Sequence, residues 1–331
     1  MFLKAEQKIA NMAGKRRGIG ILIVIMVLIV AGVPGCLEQQ EEAGGEGAAI
    51  AMKVGAMPDE ATLPYYVAER EGIFAAHGLD VEVVPFMSAL ERDSAFIAGE
   101  TDAGENDPVG VLVLRNAGYD IKIVSRELEE TPAKMRFALL SSPQSDIRSV
   151  ADLEGKQLAI SSNTVIEWIT DTLLGDVQAI KIEEKKVPIR LQLLLEGKYE
   201  AATLAEPLAS YAIYKGAHLI SSDSMYDETI GYTVIVFRGE FIEEHPESVA
   251  KFLAAYDEAV DRINANPEQY RERVVEIAKV PEEIASTYQM ATYMKAAPYP
   301  EESFDQVLSW MERKGLVTEA ISYDDVMYNR G

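Results

Sequence analysis

The sequence predicts an α/β protein of two lobes with a helical C-terminal tail. Three observations point there. Strand-like and helix-like stretches alternate over residues 49–221, and such alternation builds α/β layers with parallel strands. The alternation falls into two blocks, followed by one strongly β-branched strand at 233–237. Beyond that strand the pattern reads as helix throughout.

The chain opens with an address. Lys15, Arg16 and Arg17 precede an apolar run over 19–33. The run is short for a bilayer span, which needs about 20 residues, and suits a signal-peptide core. Val33-Pro34-Gly35-Cys36 follows at once. A small residue and then cysteine after an apolar core resembles a lipoprotein processing site. Cleavage removes residues 1–35 and leaves Cys36 as a lipidated N-terminus. Pro34 departs from the usual small residue there, so an uncleaved signal anchor stays open. Either way the remainder is expected outside the cytoplasm, on the outer face of the cell membrane. Residues 36–49 are rich in Glu, Gln and Gly and read as a tether.

The first block starts with a strand at 50–54. Helix is expected over 63–71 behind Thr62, strand over 81–84, and helix over 89–98 up to Gly99. Asp107 before Pro108 makes an N-cap and first-turn pair, so a helix runs over 108–116. Strands follow at 121–125 and 137–140. In the second block, strand 157–160 leads through Ser161-Ser162-Asn163-Thr164 into a helix ending at Leu174. Thr164 and Glu167 have capping-box spacing. Strand 180–187, helix 189–195 and strand 201–204 precede Glu206-Pro207, which opens a helix to Lys215. One more strand occupies 218–221. In the tail, helices are expected over 241–245, 246–264, 267–279, 281–292 and 303–314. Lobe one is therefore expected at 50–138 and 234–331, and lobe two at 139–233, with the chain crossing near 137–142 and 231–237.

Composition bounds the function. Lys plus Arg is 31 against 54 for Asp plus Glu, a net charge of −23. The first 35 residues hold five basic residues and one acidic one, so the mature chain has 26 against 53, or −27. That balance speaks against a phosphate-backbone binder, because nucleic-acid affinity rests on positive charge. One cysteine excludes an internal disulfide or a multi-cysteine metal centre, and three scattered histidines exclude a histidine-rich one. No cofactor and no metal are expected.

The motifs, taken in order, form a set. They are Leu63-Pro64-Tyr65-Tyr66-Val67-Ala68, Glu71-Gly72-Ile73-Phe74, Gly78-Leu79-Asp80-Val81, Val84-Pro85-Phe86 and Ala98-Gly99-Glu100-Thr101-Asp102-Ala103-Gly104. Ala151-Asp152-Leu153-Glu154-Gly155-Lys156, Glu206-Pro207 and Phe241-Ile242-Glu243-Glu244-His245-Pro246 follow. In that order, from about residue 52 to the C-terminus, the chain resembles the solute-binding proteins of ABC importers. The subgroup is the one for nitrate, sulfonates, taurine and thiamine pyrimidine precursors. The resemblance implies a type II periplasmic-binding-protein-like clamp. It also implies a small-molecule ligand in the interlobe cleft, and permease and ATPase subunits as partners. It departs at Ala205, where sulfonate binders often have Trp, and it lacks the cysteine-rich signature of the fungal pyrimidine-forming enzymes.

Ligands of open α/β sheets sit beyond the carboxyl ends of the strands. Four segments fall there: 57–62, 105–108, 161–164 and 206–207. The candidate ligand residues are Asp59, Thr62, Glu105, Asn106, Asp107, Ser161, Ser162, Asn163, Thr164 and Glu206. All four segments enter helix N-termini, which favour an anion. Their carboxylates favour a cation or a donor. None carries Lys or Arg, and Arg92, Arg126 and Arg136 are the nearby cations that reverse this balance if they enter. Asp107 serves either as an N-cap or a ligand contact, Thr164 and Glu167 either cap each other or face ligand, and Asp59 and Glu60 face either water or ligand. Tyr65, Tyr66 and Trp168 line either the pocket or the core. No nucleophile motif, metalloprotease motif or phosphate-binding loop is present. The expectation is a monomeric, non-enzymatic binding component that captures a sulfonate-, taurine- or pyrimidine-like solute. An enzyme on the same fold, akin to the menaquinone-pathway ones, and a surface sensor or adhesin are the alternatives.

Overall fold

The computed structural model describes residues 49–128 and 134–329. The signal, Cys36 and most of the tether lie outside them. The first block forms β1 (Ile50–Ala56), α1 (Leu63–Arg70), α2 (Ile73–Ala76), β2 (Leu79–Pro85), α3 (Ala89–Ile97), β3 (Ala103–Asn106), α4 (Pro108–Asn116) and β4 (Ile121–Arg126). The second forms β5 (Phe137–Ser141), β6 (Gln157–Ile160), α5 (Val165–Leu174), β7 (Ile180–Glu183), α6 (Val187–Leu195), β8 (Ala201–Ala205), α7 (Leu208–Tyr214) and β9 (His218–Ser222). The last forms β10 (Val234–Arg238), α8 (Gly239–Glu244), α9 (Ser248–Ala265), α10 (Pro267–Ile277), α11 (Glu282–Ala285), α12 (Glu301–Arg313) and α13 (Tyr323–Val326).

Two five-stranded sheets result, in the orders β2-β1-β3-β10-β4 and β7-β6-β8-β5-β9. The two orders are the same topology used twice. This is the two-lobed α/β architecture that the alternation predicts. The expectation of parallel sheets is corrected by one strand in each. β10 runs antiparallel to β3 and β4, and β5 runs antiparallel to β8 and β9. Both are the strands that follow a crossing from the other sheet. No helix of the same lobe precedes them, so no βαβ return forces them parallel. The crossings occupy residues 127–136 and 223–233, between the end of β4 and β5 and between β9 and β10.

The tail packs because α9 carries Val249, Phe252, Leu253, Tyr256, Ala259, Val260 and Ile263 on one face, all buried. That spacing is the stripe of an amphipathic helix. Phe252 stacks on Phe74 at 5.2 Å and meets Phe237 edge-on at 5.4 Å. Each such ring contributes roughly 1.5–3 kcal/mol through burial. Tyr65 joins this core, 5.7 Å from Phe252, rather than lining a pocket. A second apolar cluster runs from Leu112 and Ile123 through Phe304 and Trp310 to Trp168 and Leu158, and so spans both sheets.

The helix expected over 281–292 is only the single turn α11. Downstream, Tyr288, Ala291 and Tyr293 all bond Glu60 instead of continuing a helix. α13, which the periodicity does not predict, is set by a capping box between Ser322 and Asp325. No helix among the described residues is long and apolar enough to cross a membrane.

Candidate functional site

The segment after β1 turns back on itself through Asp59. Its carboxylate accepts from the Ala61 N–H at 2.8 Å and starts a short 3₁₀ turn, Glu60–Thr62. Thr62 is wholly buried, and its hydroxyl donates to the Met57 and Asp59 carbonyls at 3.2 and 2.8 Å. It therefore fixes the loop rather than facing a cleft. Beside it, Glu105 accepts from the Met57 N–H at 3.3 Å and sits 3.6 Å from the Arg92 guanidinium. Burial pushes the Glu105 carboxyl up to about 7 against the pull of Arg92, with Asp59 and Asp107 adding to the rise. Asn106 accepts from Arg92 at 2.7 Å and from the Asp107 N–H at 2.8 Å. Asp107 caps α4 by accepting from the Gly110 N–H at 2.9 Å.

The first crossing supplies the cations. Lys134 donates to Glu60 at 2.6 Å, and Glu60 also accepts from the Tyr288 hydroxyl and the Ala291 N–H. Arg136 donates to Asp59. The Arg136 and Phe137 N–H groups both donate to Asp223, at 3.0 and 3.1 Å. The Arg136 carbonyl accepts from the Glu206 N–H at 2.7 Å. Arg136 thus ties the end of β1 in one sheet to the ends of β8 and β9 in the other.

Glu206 follows β8, its peptide to Pro207 cis. One carboxylate oxygen accepts from the Ser210 hydroxyl at 2.7 Å, and the other, Oε2, is buried with no hydrogen-bond partner. Burial pushes this carboxyl up to about 7; Ser210 opposes the rise and the nearby Glu60 charge adds to it. Glu127, on the same crossing as Arg136, is fully buried with neither carboxylate oxygen bonded. Burial first, then the Asp59 charge, raises it well above the usual carboxylate range.

The head of α5 is a separate arrangement. Ser161 accepts from the buried Arg190 at 2.8 Å. Thr164 accepts from the Ile166 N–H at 3.2 Å and donates to the Ser161 carbonyl. The Ser162 N–H donates to Glu183 and the exposed Asn163 N–H to Glu167, each at 2.8 Å. Glu167 therefore reaches one residue beyond the capping-box partner, because Asn163 sits at a φ of 60° and turns its N–H inward. Carboxylates of the chain thus hold the Ser162 and Asn163 N–H groups ahead of the helix, and Thr164 itself takes the Ile166 N–H of the first turn, which leaves less for an anion. Among the described residues no group of His, Cys, Asp and Glu is arranged to hold a metal ion.

A family model described as NMT1/THI5 like matches residues 60–270. The chain belongs to the NMT1/THI5-like family. A Brucella abortus protein named only as a binding protein is 28% identical over 225 residues, covering 65% of this chain and 67% of that one. A Bacillus subtilis protein named for binding aliphatic sulfonates is 24% identical, covering 60% and 61%. The crystal structure of the periplasmic aliphatic sulphonate binding protein SsuA from Escherichia coli superposes with a TM-score of 0.70 at 16% identity. That superposition covers 84% of this chain and 97% of the other. The fold is that of the periplasmic binding proteins.

In this NMT1/THI5-like chain the sequence-predicted residues do not form one group. Asp59 and Glu206 meet around Arg136, and Glu105, Asn106 and Asp107 gather on Arg92. Ser161, Ser162, Asn163 and Thr164 are held by Arg190, Glu183 and Glu167. The four loops carry no cation, yet three of them borrow one from a neighbouring element, so the reading of an unbalanced negative cleft is corrected there, while Glu206 keeps only the Ser210 hydroxyl. Lys134, Glu127 and Arg190 escape the sequence reading altogether. Their signal is weak: Glu127 just past β4, Lys134 short of β5 and Arg190 in the first turn of α6 are single charged residues with no spacing to link them to the loops.

Proposed function

We propose that this chain is the extracytoplasmic solute-binding component of an ABC importer. It captures a small organic solute between its two lobes and delivers it to a permease driven by an ATPase. It works as a monomer on the outer face of the membrane, tethered through lipidated Cys36. The solute is sulfonate- or taurine-like, or pyrimidine-like, and presents a hydrogen-bond donor. The observation that carries this reading is the Glu206 carboxylate, buried beside the junction of the two sheets with one oxygen lacking a partner. A buried acceptor is costly until a donor reaches it, so a donor-bearing ligand gains more there than a bare anion. Lys134 and Arg136 do not overturn this preference, since each already holds a carboxylate. The reading assigns no catalytic step.

The test is mass spectrometry of small molecules released from the purified protein, followed by titration calorimetry with taurine, an aminopyrimidine and nitrate. Release of an amine-bearing sulfonate or a heterocycle supports the reading. Tight nitrate binding with no response to either organic solute overturns it.

A further inference from the structure

α12 meets α5 through side chains. α12 packs on α4 of the first lobe, whereas α5 packs on β5, β6 and β8 of the second and also touches α4. Their contact is polar at its centre. Trp310 donates its indole N–H to Asp171 at 2.9 Å, and Lys314 donates to Glu167 at 2.7 Å while lying 3.5 Å from Asp171. Lys314 also sits over the Trp310 ring, 5.3 Å from its centroid. Trp168 meets Trp310 edge-on at 5.7 Å and donates to the Ile230 carbonyl of the second crossing at 2.9 Å.

Glu167 has two lysine partners, one from each side. Lys181 on β7 belongs to the same lobe and donates at 2.9 Å; Lys314 comes from the other. Lys181 also pairs with Asp171. Burial pushes the Glu167 carboxyl up, but the Asn163 N–H, Lys314 and Lys181 outweigh it and hold the group below its ordinary value. If α12 moves away, Lys181 still satisfies both carboxylates. Opening therefore strands no buried charge, which is the main cost of breaking such a contact. Trp168 and Trp310 are themselves buried in the apolar cluster that spans both sheets, so separation also carries the cost of exposing them. The polar contact is specific when made and leaves each carboxylate with a cation when broken, so it biases the choice between two lobe positions.

We propose that Trp310 and Lys314 on α12, closing on Glu167 and Asp171 of α5, form an interlobe latch that sets the fraction of molecules with the lobes together. The latch acts without ligand and does not depend on which solute binds. A partly exposed ion pair with an indole hydrogen bond shifts such a ratio by about three- to tenfold.

The latch carries its own reporter, because Trp168 and Trp310 are the chain's two tryptophans. The experiment is acrylamide quenching of tryptophan fluorescence in the full ligand-free chain, with the radius of gyration measured by small-angle scattering. Lys314→Met and Asp171→Asn change opposite sides of the contact, and Lys314→Gln is a milder third variant. The expected result is a two- to threefold larger quenching constant and a larger radius in each variant that keeps the wild-type far-ultraviolet circular dichroism. Quenching and radius at wild-type values in the folded variants would overturn the proposal. So would a rise in quenching with no change in radius, which marks local fraying rather than lobe separation.

Discussion

The Arg136 guanidinium reaches Asp59 through one nitrogen, Nη2, at 3.1 and 2.9 Å from the two carboxylate oxygens. Arg136 lies on a segment that crosses between sheets, and Asp59 closes the first turn after β1, so the pair is a strut between the lobes. Its surroundings are acidic: Glu60 is adjacent in sequence, and the charges of Glu105 and Glu127 both feel Asp59. The guanidinium holds Asp59, while Lys134 holds Glu60 and Arg92 sits beside Glu105.

The first prediction is an asymmetry. Arg136→Met leaves Asp59 without its cation among other acids and should destabilise the fold by about 2–4 kcal/mol, discounted from the buried-pair range because Asp59 is partly exposed. Asp59→Asn removes one acid from a crowded set and should cost less. Urea unfolding of both variants checks this; a larger loss for Asp59→Asn would contradict the electrostatic argument.

How much of this was legible in the sequence depends on whether the cause was local. Asp107 before Pro108 marks the start of α4 at the observed residue, because N-cap and first-turn preferences are set within one turn. The direction of β5 and β10 was not legible, since a strand's periodicity is the same either way along the sheet. The stretch 286–292, the second half of the helix expected over 281–292, is overridden by Glu60, a partner more than 225 residues away. Asp59 and Glu206 were visible as acids after strands. Arg136 was legible only as one of three cations close enough to enter, and Lys134 not at all, because the contact is made by tertiary closure and not by any spacing.

A second prediction concerns Gly104 on β3. A Cβ there would stand 2.6 Å from the Gly55 carbonyl oxygen on β1, a backbone atom that no rotamer change can move. Gly104→Ala should force β1 and β3 apart and cost about 1–3 kcal/mol, the usual range for overpacking. Since β1 leads to Asp59 and β3 ends in Glu105 and Asn106, solute binding should weaken as well. Thermal unfolding and calorimetry on the same preparation measure both effects; wild-type values in both would show that the strands have slack.

The third prediction is a pH dependence. Glu105 and Glu206 are both held near pH 7 in the native chain, against 4.5 ordinarily. Between those two values the folded state binds more protons than the unfolded one. Stability from these groups is therefore fully present below about pH 4.5 and is lost as pH rises toward and past 7. Glu206→Gln removes one contribution and should flatten the decline, gaining about 1–3 kcal/mol over wild type at pH 8. Urea midpoints at pH 5, 6, 7 and 8 test it. Parallel curves for wild type and variant would mean that Glu206 is ionised at no cost.

The fourth concerns the N-terminus. Native protein is expected to lack residues 1–35 and to carry lipid on Cys36. A single acyl chain gives only marginal membrane binding, so durable anchoring needs two chains or a further lipid. Intact-mass analysis of membrane-extracted protein reads this directly, and a product retaining Met1 rules it out.

The last prediction joins the site's electrostatics to its ligand. Glu206 Oε2 is buried without a partner, and the carboxyl is poised near neutrality by burial. When a solute brings an ammonium or amino donor to that oxygen, the charged form gains the partner it lacks, and the carboxyl should ionise as the complex forms. Glu206→Gln keeps the shape but replaces one acceptor oxygen by an amide nitrogen that donates. It should weaken binding of a donor-bearing solute by about 1.5–3 kcal/mol, the range for hydrogen bonds to charged groups. Proton release adds an independent signature: below pH 7 the measured enthalpy should vary with the ionisation enthalpy of the buffer in wild type, and not in Glu206→Gln. A bare anion offers Glu206 nothing to accept and predicts the reverse, with affinity unchanged or improved by the substitution. Calorimetry in two buffers of different ionisation enthalpy separates these cases, and a neutral Glu206→Gln with tight nitrate or bicarbonate binding would assign the cleft to an anion instead.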